Sequence, residues 1–352
     1  MDNIRFFNER LGESLMDFKI RLLDLPKDYT SIANLINLFN KELRRDLISA
    51  TDLQEEDKRI PSKDNTLLNE SNLLTGFCRN RIVAIDDNQK IIGYASAWRA
   101  PWTEPGVICS TLIVSPENRN KRVGKELLNH LECWGREMKA DFLISEVPDH
   151  LTDSVSFIEM NGYKKERHVW QSTLDLSTFD EKINGSIVDD VNISGIRFVS
   201  LSELEVINVK TPLYELFKQT VKDNPAMNDD VNSLPSLEDW SNEFLDNSNI
   251  AIIAFSESRM VGMTILIPKA DGELYNEWTG VDKDFRGKKI ALALKLKSIQ
   301  MAKASSYYKM RTDNDSLNTA MISVNQKLGY IPVAGGHFVV SKNIKAKSKI
   351  IS

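Results

Sequence analysis

Residues Gly272–Leu294, GELYNEWTGVDKDFRGKKIALAL, run from an aromatic and β-branched strand through a short polar turn and a cluster of bases into an apolar helix. The same plan occurs earlier at Gly106–Leu128, GVICSTLIVSPENRNKRVGKELL. Val114 matches Val281, Arg119 matches Arg286 and Gly124 matches Ala291, each pair 167 positions apart. Downstream, Asn161-Gly162-Tyr163 matches Leu328-Gly329-Tyr330 at the same interval. A register kept from strand to second helix end indicates a duplicated domain.

The 352 residues suit two domains, and 41% hydrophobic with 27% charged residues is ordinary soluble composition. No apolar run approaches the roughly 18 residues of a membrane span. The start lacks a basic segment leading into an apolar one, so no secretory signal is expected. Three cysteines, Cys78, Cys109 and Cys133, lie far apart and outside any C-x-x-C, which suits reduced thiols and a cytoplasmic location. A net charge of −5 argues against a nucleic-acid partner. The expected order is an N-terminal extension (1–17), a first domain (18–176), a polar linker (177–194), a second domain (195–345) and a basic tail (346–352).

Periodicity places strands at Ile20–Leu23, Arg81–Ile85, Ile91–Trp98 and Phe142–Glu146, and helices at Tyr29–Ile48, from Val123, and at Ser154–Met160. In the second half it places strands at Ile196–Val199, Ile250–Phe255, Met260–Ile267, Leu274–Val281, Tyr308–Arg311 and His337–Ser341. Helices are expected from Ser202, across Leu237–Leu245, from Lys288 to Lys303, and over Leu317–Lys327.

A helix start exposes about four unpaired amides and the positive end of its dipole. A strand that delivers a basic, glycine-containing turn onto such an end builds an anion site. Arg286-Gly287-Lys288-Lys289-Ile290-Ala291 forms one such turn. Arg119-Asn120-Lys121-Arg122-Val123-Gly124, following Val114, forms a second candidate cofactor site. Neither is a Walker loop or a dinucleotide fingerprint.

Val114, Pro116, Glu117, Arg119, Val123 and Gly124 together resemble motif A of the GNAT superfamily of acyl-coenzyme A-dependent N-acetyltransferases, and Val281 through Ala291 resembles a second copy. Thr312 to Asn318, with Met321, Asn325 and Leu328-Gly329-Tyr330, resembles motif B. Trp170–Leu176 is similar to the junction of tandem GNAT proteins, the group that includes mycothiol synthase. The resemblance implies an α/β (α+β) fold: two tandem domains, each a mixed, mostly antiparallel twisted sheet flanked by helices. It also implies acetyl-CoA as donor, a small-molecule primary amine as acceptor, direct attack without an acyl-enzyme, no metal, and monomer and homodimer alike open. Thr279, Gly280 and Val281 are expected beside the pantetheine, and Asn314, Asn318 and Asn325 are expected to meet it. Both turns lack the family's middle glycine, carrying Arg122 and Lys289 there. A helix start with φ < 0 tolerates that.

Amine acetylation needs a base and a polarised thioester carbonyl. Strand alternation puts Glu273, Tyr275, Glu277 and Thr279 on the face of Val281. Glu277 is the favoured base and Glu273 the second. The matching first-half face, Ile108, Ser110 and Leu112, has no ionisable group, so the second domain is expected to be catalytic and the first degenerate. Asn325 and Ile158 occupy the position where the family often has a tyrosine acid. The cysteines carry no catalytic role, and His130 with Cys133 lacks further metal ligands. His150, His168 and His337 are dispersed. Trp98, Trp102, Trp240 and Trp278, and the Asn224–Leu237 stretch, are candidates for the acceptor pocket. Two other functions fit the same motifs: a non-catalytic acyl-CoA-binding structural or regulatory protein, and a transferase of aminoacyl or long acyl groups.

Overall fold

The computed structural model describes residues 17–42, 46–59, 64–180, 186–225, 234–246, 249–269 and 272–345. Nearly all of the N-terminal extension, the basic tail, and residues 226–233 of the acceptor stretch lie outside these. In chain order come β1 (Phe18–Leu22), α1 (Tyr29–Glu42), α2 (Ala50–Arg59), β2 (Leu67–Leu68), β3 (Leu74–Thr75), β4 (Cys78–Asp86), β5 (Ile91–Arg99) and β6 (Val107–Val114). Next are α3 (Val123–Glu137), β7 (Phe142–Pro148), α4 (Thr152–Met160), β8 (Lys164–Asp175), α5 (Ile187–Ile193), β9 (Ile196–Ser200), α6 (Val206–Lys222) and α7 (Leu237–Phe244). The described elements end with β10 (Ile250–Ser256), β11 (Arg259–Pro268), β12 (Glu273–Val281), α8 (Ile290–Ala304), β13 (Lys309–Asp315), α9 (Thr319–Lys327), β14 (Ile331–Pro332) and β15 (His337–Asn343). None of the described helices is long and apolar enough to cross a membrane.

The described residues form two compact units, one within Met1–Glu166 and His337–Ser352, the other Arg167–Gly336. The first has strand order β1-β4-β5-β6-β7-β15, antiparallel except for the β6–β7 pair. The second has order β9-β10-β11-β12-β13-β8, antiparallel except for β12–β13, with β14 also on β8. The duplicated plan is therefore present twice, but the sixth strand of each sheet comes from beyond its own repeat. β15, the last of the described strands, pairs with β7, and β8 pairs with β13.

Each sheet is buried on both faces, so its strands are apolar at successive positions rather than alternately. In the second unit Ile252 packs toward α8 with Leu266, Leu274, Ile290 and Leu294, while Ile253 packs toward α6 and α7 with Leu213, Phe217, Trp240 and Ile265. In the first, Ile82, Ile108 and Leu127 lie on the α3 side and Ile32, Val83 and Ile113 on the other.

Several sequence expectations shift here. The helix expected over Tyr29–Ile48 ends at Glu42, and a separate α2 follows. Lys164–Asp175, where periodicity places no element, is a strand of twelve residues. Within the stretch read as linker, Ile187–Ile193 is helical and buries Val188 and Val191. Those two residues join the cluster around α8, which is why α8 is apolar on nearly every side.

Candidate functional site

After β12, Asp282 turns the chain: its side chain accepts from the Asp284 amide at 3.0 Å and is paired with Arg259 at 2.6 Å. Burial would raise the Asp282 pKa, but the amide and the guanidinium outweigh it and hold it below its ordinary value. Arg286 then folds back, its Nε donating to the Val281 carbonyl at 3.1 Å and its Nη2 meeting Asp223 at 2.7 Å. Gly287 and Lys289 both sit in the left-handed region, at φ 76° and 60°, and Lys289 caps α8. The expectation of negative φ at Lys289 is wrong. A glycine would fit there without strain, and the lysine sits in a conformation that L-residues avoid. The Ala293 amide is the one that donates to Lys289 O, so the amides before it point out of the helix end beside the exposed Lys288 and Lys289. Ile290 is buried beneath and Ala291 half-buried.

The first unit repeats this turn closely. Arg119 Nε donates to the Val114 carbonyl at 3.3 Å, and Asn120 and Arg122 hold φ 61° and 67°. Arg119, Asn120, Lys121 and Arg122 are exposed; Val123 is buried, and Gly124 faces Phe157 and Val114. Arg122 is thus a second correction of the same kind.

The strands, by contrast, differ. β12 pairs with β11 regularly except at one place, where Ile265 opposes Trp278 and Leu266 opposes Asn276. Glu277 is the extra residue of a β-bulge. The alternation expected from Glu273 to Val281 therefore breaks. Leu274 and Val281, an odd number of positions apart, lie on the same α8-facing side. Thr279 shares that side, bonded to Thr264 at 2.9 Å and to Asn276 Oδ1 at 3.2 Å. Trp278 faces the other way, donating to Thr220 of α6 at 3.1 Å, and a Cβ on Gly280 would lie 2.7 Å from that threonine's Cβ. Gly280 is thus a close-packing glycine. β6 has no bulge against β5. The parallel pairing of β12 with β13 stops at Tyr275–Arg311 and the strands diverge. That of β6 with β7 reaches Ser110–Ser145, where Ser145 donates to Ser110 O at 2.7 Å.

At the bulge, Glu277 reaches solvent. Surrounding atoms desolvate its carboxyl and raise its pKa; Asp313 and Glu243 push the same way and Lys269 opposes. Tyr275 lies beside it, its pKa raised by burial and by Asp313, with Lys269 over its ring at 5.4 Å. Glu273 is placed differently. It is buried, bonded to Lys309 at 2.7 Å and Tyr308 at 3.0 Å, and paired with Arg311. Burial alone would raise its pKa, but these partners lower it. Its lone pairs are committed to holding the start of β12 to β13.

The motif B asparagines bond to their own neighbours. Asn325 is 2% exposed and donates to Asn314 Oδ1 at 2.8 Å, while Asn314 donates to Ser172 Oγ at 2.9 Å. Asn318 caps α9 by accepting from the Met321 amide. Trp240 is fully buried, clustered with Tyr214, Phe217 and Phe244, whereas Trp102 is exposed and Trp98 half-buried. Burial pushes Cys78 up to about 12 and Cys109 up to about 11, so both are protonated thiols. Among the described residues no group of three or more His, Cys, Asp and Glu is placed to hold a metal ion.

One polar group escaped the sequence reading. Lys295 of α8 is 1% exposed, bonds Asn276 Oδ1, and lies 5.0 Å from the Tyr330 ring. Burial alone lowers its pKa to about 7. The bulge itself had a signal: Gly106 precedes Val114 by eight positions, and Gly272 precedes Val281 by nine.

The profile of the acetyltransferase (GNAT) family matches residues 42–163 and again 213–330. A GCN5-related N-acetyltransferase from Sphaerobacter thermophilus has a similar structure, with TM-score 0.63 and 15% identity over 94% of this chain and 96% of that one. A tandem GNAT protein from the clavulanic acid biosynthesis pathway gives TM-score 0.61 at 15% identity, covering 94% of this chain and 100% of that one. A glucosamine N-acetyltransferase region of a fungal multi-domain β-N-acetylglucosaminidase gives 0.64 at 14% identity, covering 94% and 38%. Comparison with curated protein sequences gives no match.

Proposed function

Because the chain belongs to the acetyltransferase (GNAT) family, we propose that its second unit transfers an acetyl group from acetyl-coenzyme A directly to a primary amine of a small molecule. The observation that carries this is the bulge at Glu277, beside the point where β12 and β13 part. Acetyl-coenzyme A supplies a thioester carbonyl reactive toward amines.

The chain's own groups fit that donor. The outward amides of Gly287–Ala291 and the charges of Lys288 and Lys289 suit a pyrophosphate. The edge of β12 beyond Asn276 has no partner in β13, so an extended pantetheine can lie along it as a strand would. Glu277 takes the proton from the attacking amine. Its raised pKa makes it a better base than an ordinary carboxylate. Glu273, held by two cations, is left with a structural role.

The first unit keeps the anion turn but has an unbulged strand with no carboxylate on it, which supports a non-catalytic copy. Acetyl-coenzyme A offered with a panel of small amines should release free coenzyme A with at least one. The opposite reading, an acyl-CoA binder without turnover, draws support from Asn325, buried where an acid for the leaving thiolate would stand. Tight acetyl-coenzyme A binding with no release across the panel would establish it.

A further inference from the structure

α3 and α8 occupy the same place in the two units, and the register that joins Gly124 to Ala291 joins Leu128 to Lys295. Leu128 is 2% exposed and Lys295 1%. A lysine thus replaces a leucine at a position closed to water, with no carboxylate bonded to it, and burying its charge there is costly.

What it touches is the bulge. Lys295 donates to Asn276 Oδ1. Asn276 Nδ2 in turn donates to the Ile265 carbonyl of β11 at 3.2 Å and to the Trp278 carbonyl at 3.3 Å. Those are the two residues on the far side of the irregularity, so the amide spans the extra residue. Thr264 Oγ1, 2.9 Å from Asn276 Nδ2, and Thr312, bonded to Asn276 O at 3.2 Å, close the group. In the first unit the matching pair is Leu128 and Ser110, and there the strand is regular. The buried lysine and the bulge occur together or not at all.

We propose that Lys295 is a positioning residue: through Asn276 it clamps the one-residue bulge of β12 and so sets where Glu277 projects. The catalytic consequence rests on the acetyl-transfer reading above, whereas the clamping of the strand does not.

The test uses the full chain with Lys295→Leu and Lys295→Met, the second keeping side-chain length without an N–H, and Lys295→Gln, which keeps one. Three readouts are compared: melting temperature, amide hydrogen exchange of 274–281, and coenzyme A release with an amine that the wild type acetylates. In the Leu and Met variants the melting temperature should not fall, while exchange at 274–281 should quicken by about tenfold or more. kcat should drop by about ten- to a hundredfold through misplacement of Glu277, with KM for acetyl-coenzyme A within about threefold. Lys295→Gln should recover part of both losses. Unchanged exchange and turnover in the Leu and Met variants would overturn the proposal. So would a large fall in melting temperature with exchange quickened throughout the unit, which would make Lys295 a general support of the fold. If the wild type releases no coenzyme A with any amine, the acetyl-transfer reading fails alone, and exchange at the bulge still decides the role of Lys295.

Discussion

Lys289 holds φ at 60° where a glycine would rest without strain. A left-handed L-residue costs roughly 1–2 kcal/mol, and a glycine gives back about 0.4–1 kcal/mol through the freedom of the unfolded chain. Lys289→Gly should therefore leave the melting temperature unchanged or raise it slightly. Acetyl-coenzyme A binding, followed by calorimetry, should be equal or tighter, because the backbone amides remain. A loss of more than about tenfold, 1.4 kcal/mol, would show the lysine side chain to be a required ligand. Glu277→Gln keeps shape and removes the base, so kcat should fall by about 10²–10⁴. In the wild type, activity should decline as pH drops through the raised Glu277 pKa, and the variant should lack that limb. Lys295 makes a prediction about stability instead. Its pKa is depressed to about 7 in the fold, against about 10.4 in an unfolded chain. Between those values the unfolded chain holds the extra proton, so stability should climb as pH rises from 7 to about 9. Denaturant titrations of Lys295→Leu should show that slope flattened.

Single residues decide this site only because two elements present them. α6 approaches β12 closely enough that Gly280 cannot carry a Cβ without meeting Thr220. Gly280→Ala should cost about 1–3 kcal/mol by overpacking, measured by chemical denaturation. The two basic turns are legible as elements: a strand, a basic turn and a helix start follow from residue type and order. The bulge is invisible to a strict two-residue alternation along β12. The spacing from Gly272 to Val281 contained it, yet the spacing alone does not say which residue is extra. That depends on which side chains bury against α8, and Leu274 and Val281 answer it together. The asparagines of motif B show the reverse case. Their types were noticed, but their mutual bonds and burial follow from how α9 packs on β13.

At the scale of the chain, the first unit should fail without the end of the sequence. β15 pairs with β7 along seven residues and buries Val339 and Val340, and Ile344 lies against Gly135 of α3. A chain ending at 336 should lose cooperative unfolding of the first unit, with protease cuts appearing within residues 18–160, although every residue removed follows the second repeat. Charge removal in the first turn, Arg119→Ala with Arg122→Ala, should leave kcat within about a few-fold if that unit is idle. The duplication and the mixed, mostly antiparallel sheets were determined by the sequence itself. They rest on local order, periodicity and residue chemistry, which act over short stretches of chain. The tertiary structure alone decided which strand closes each sheet, where the bulge falls, that Glu273 is spent in ion pairs, and that Lys295 is buried. Each of those depends on contacts between residues far apart in sequence, whose pairing no local pattern encodes.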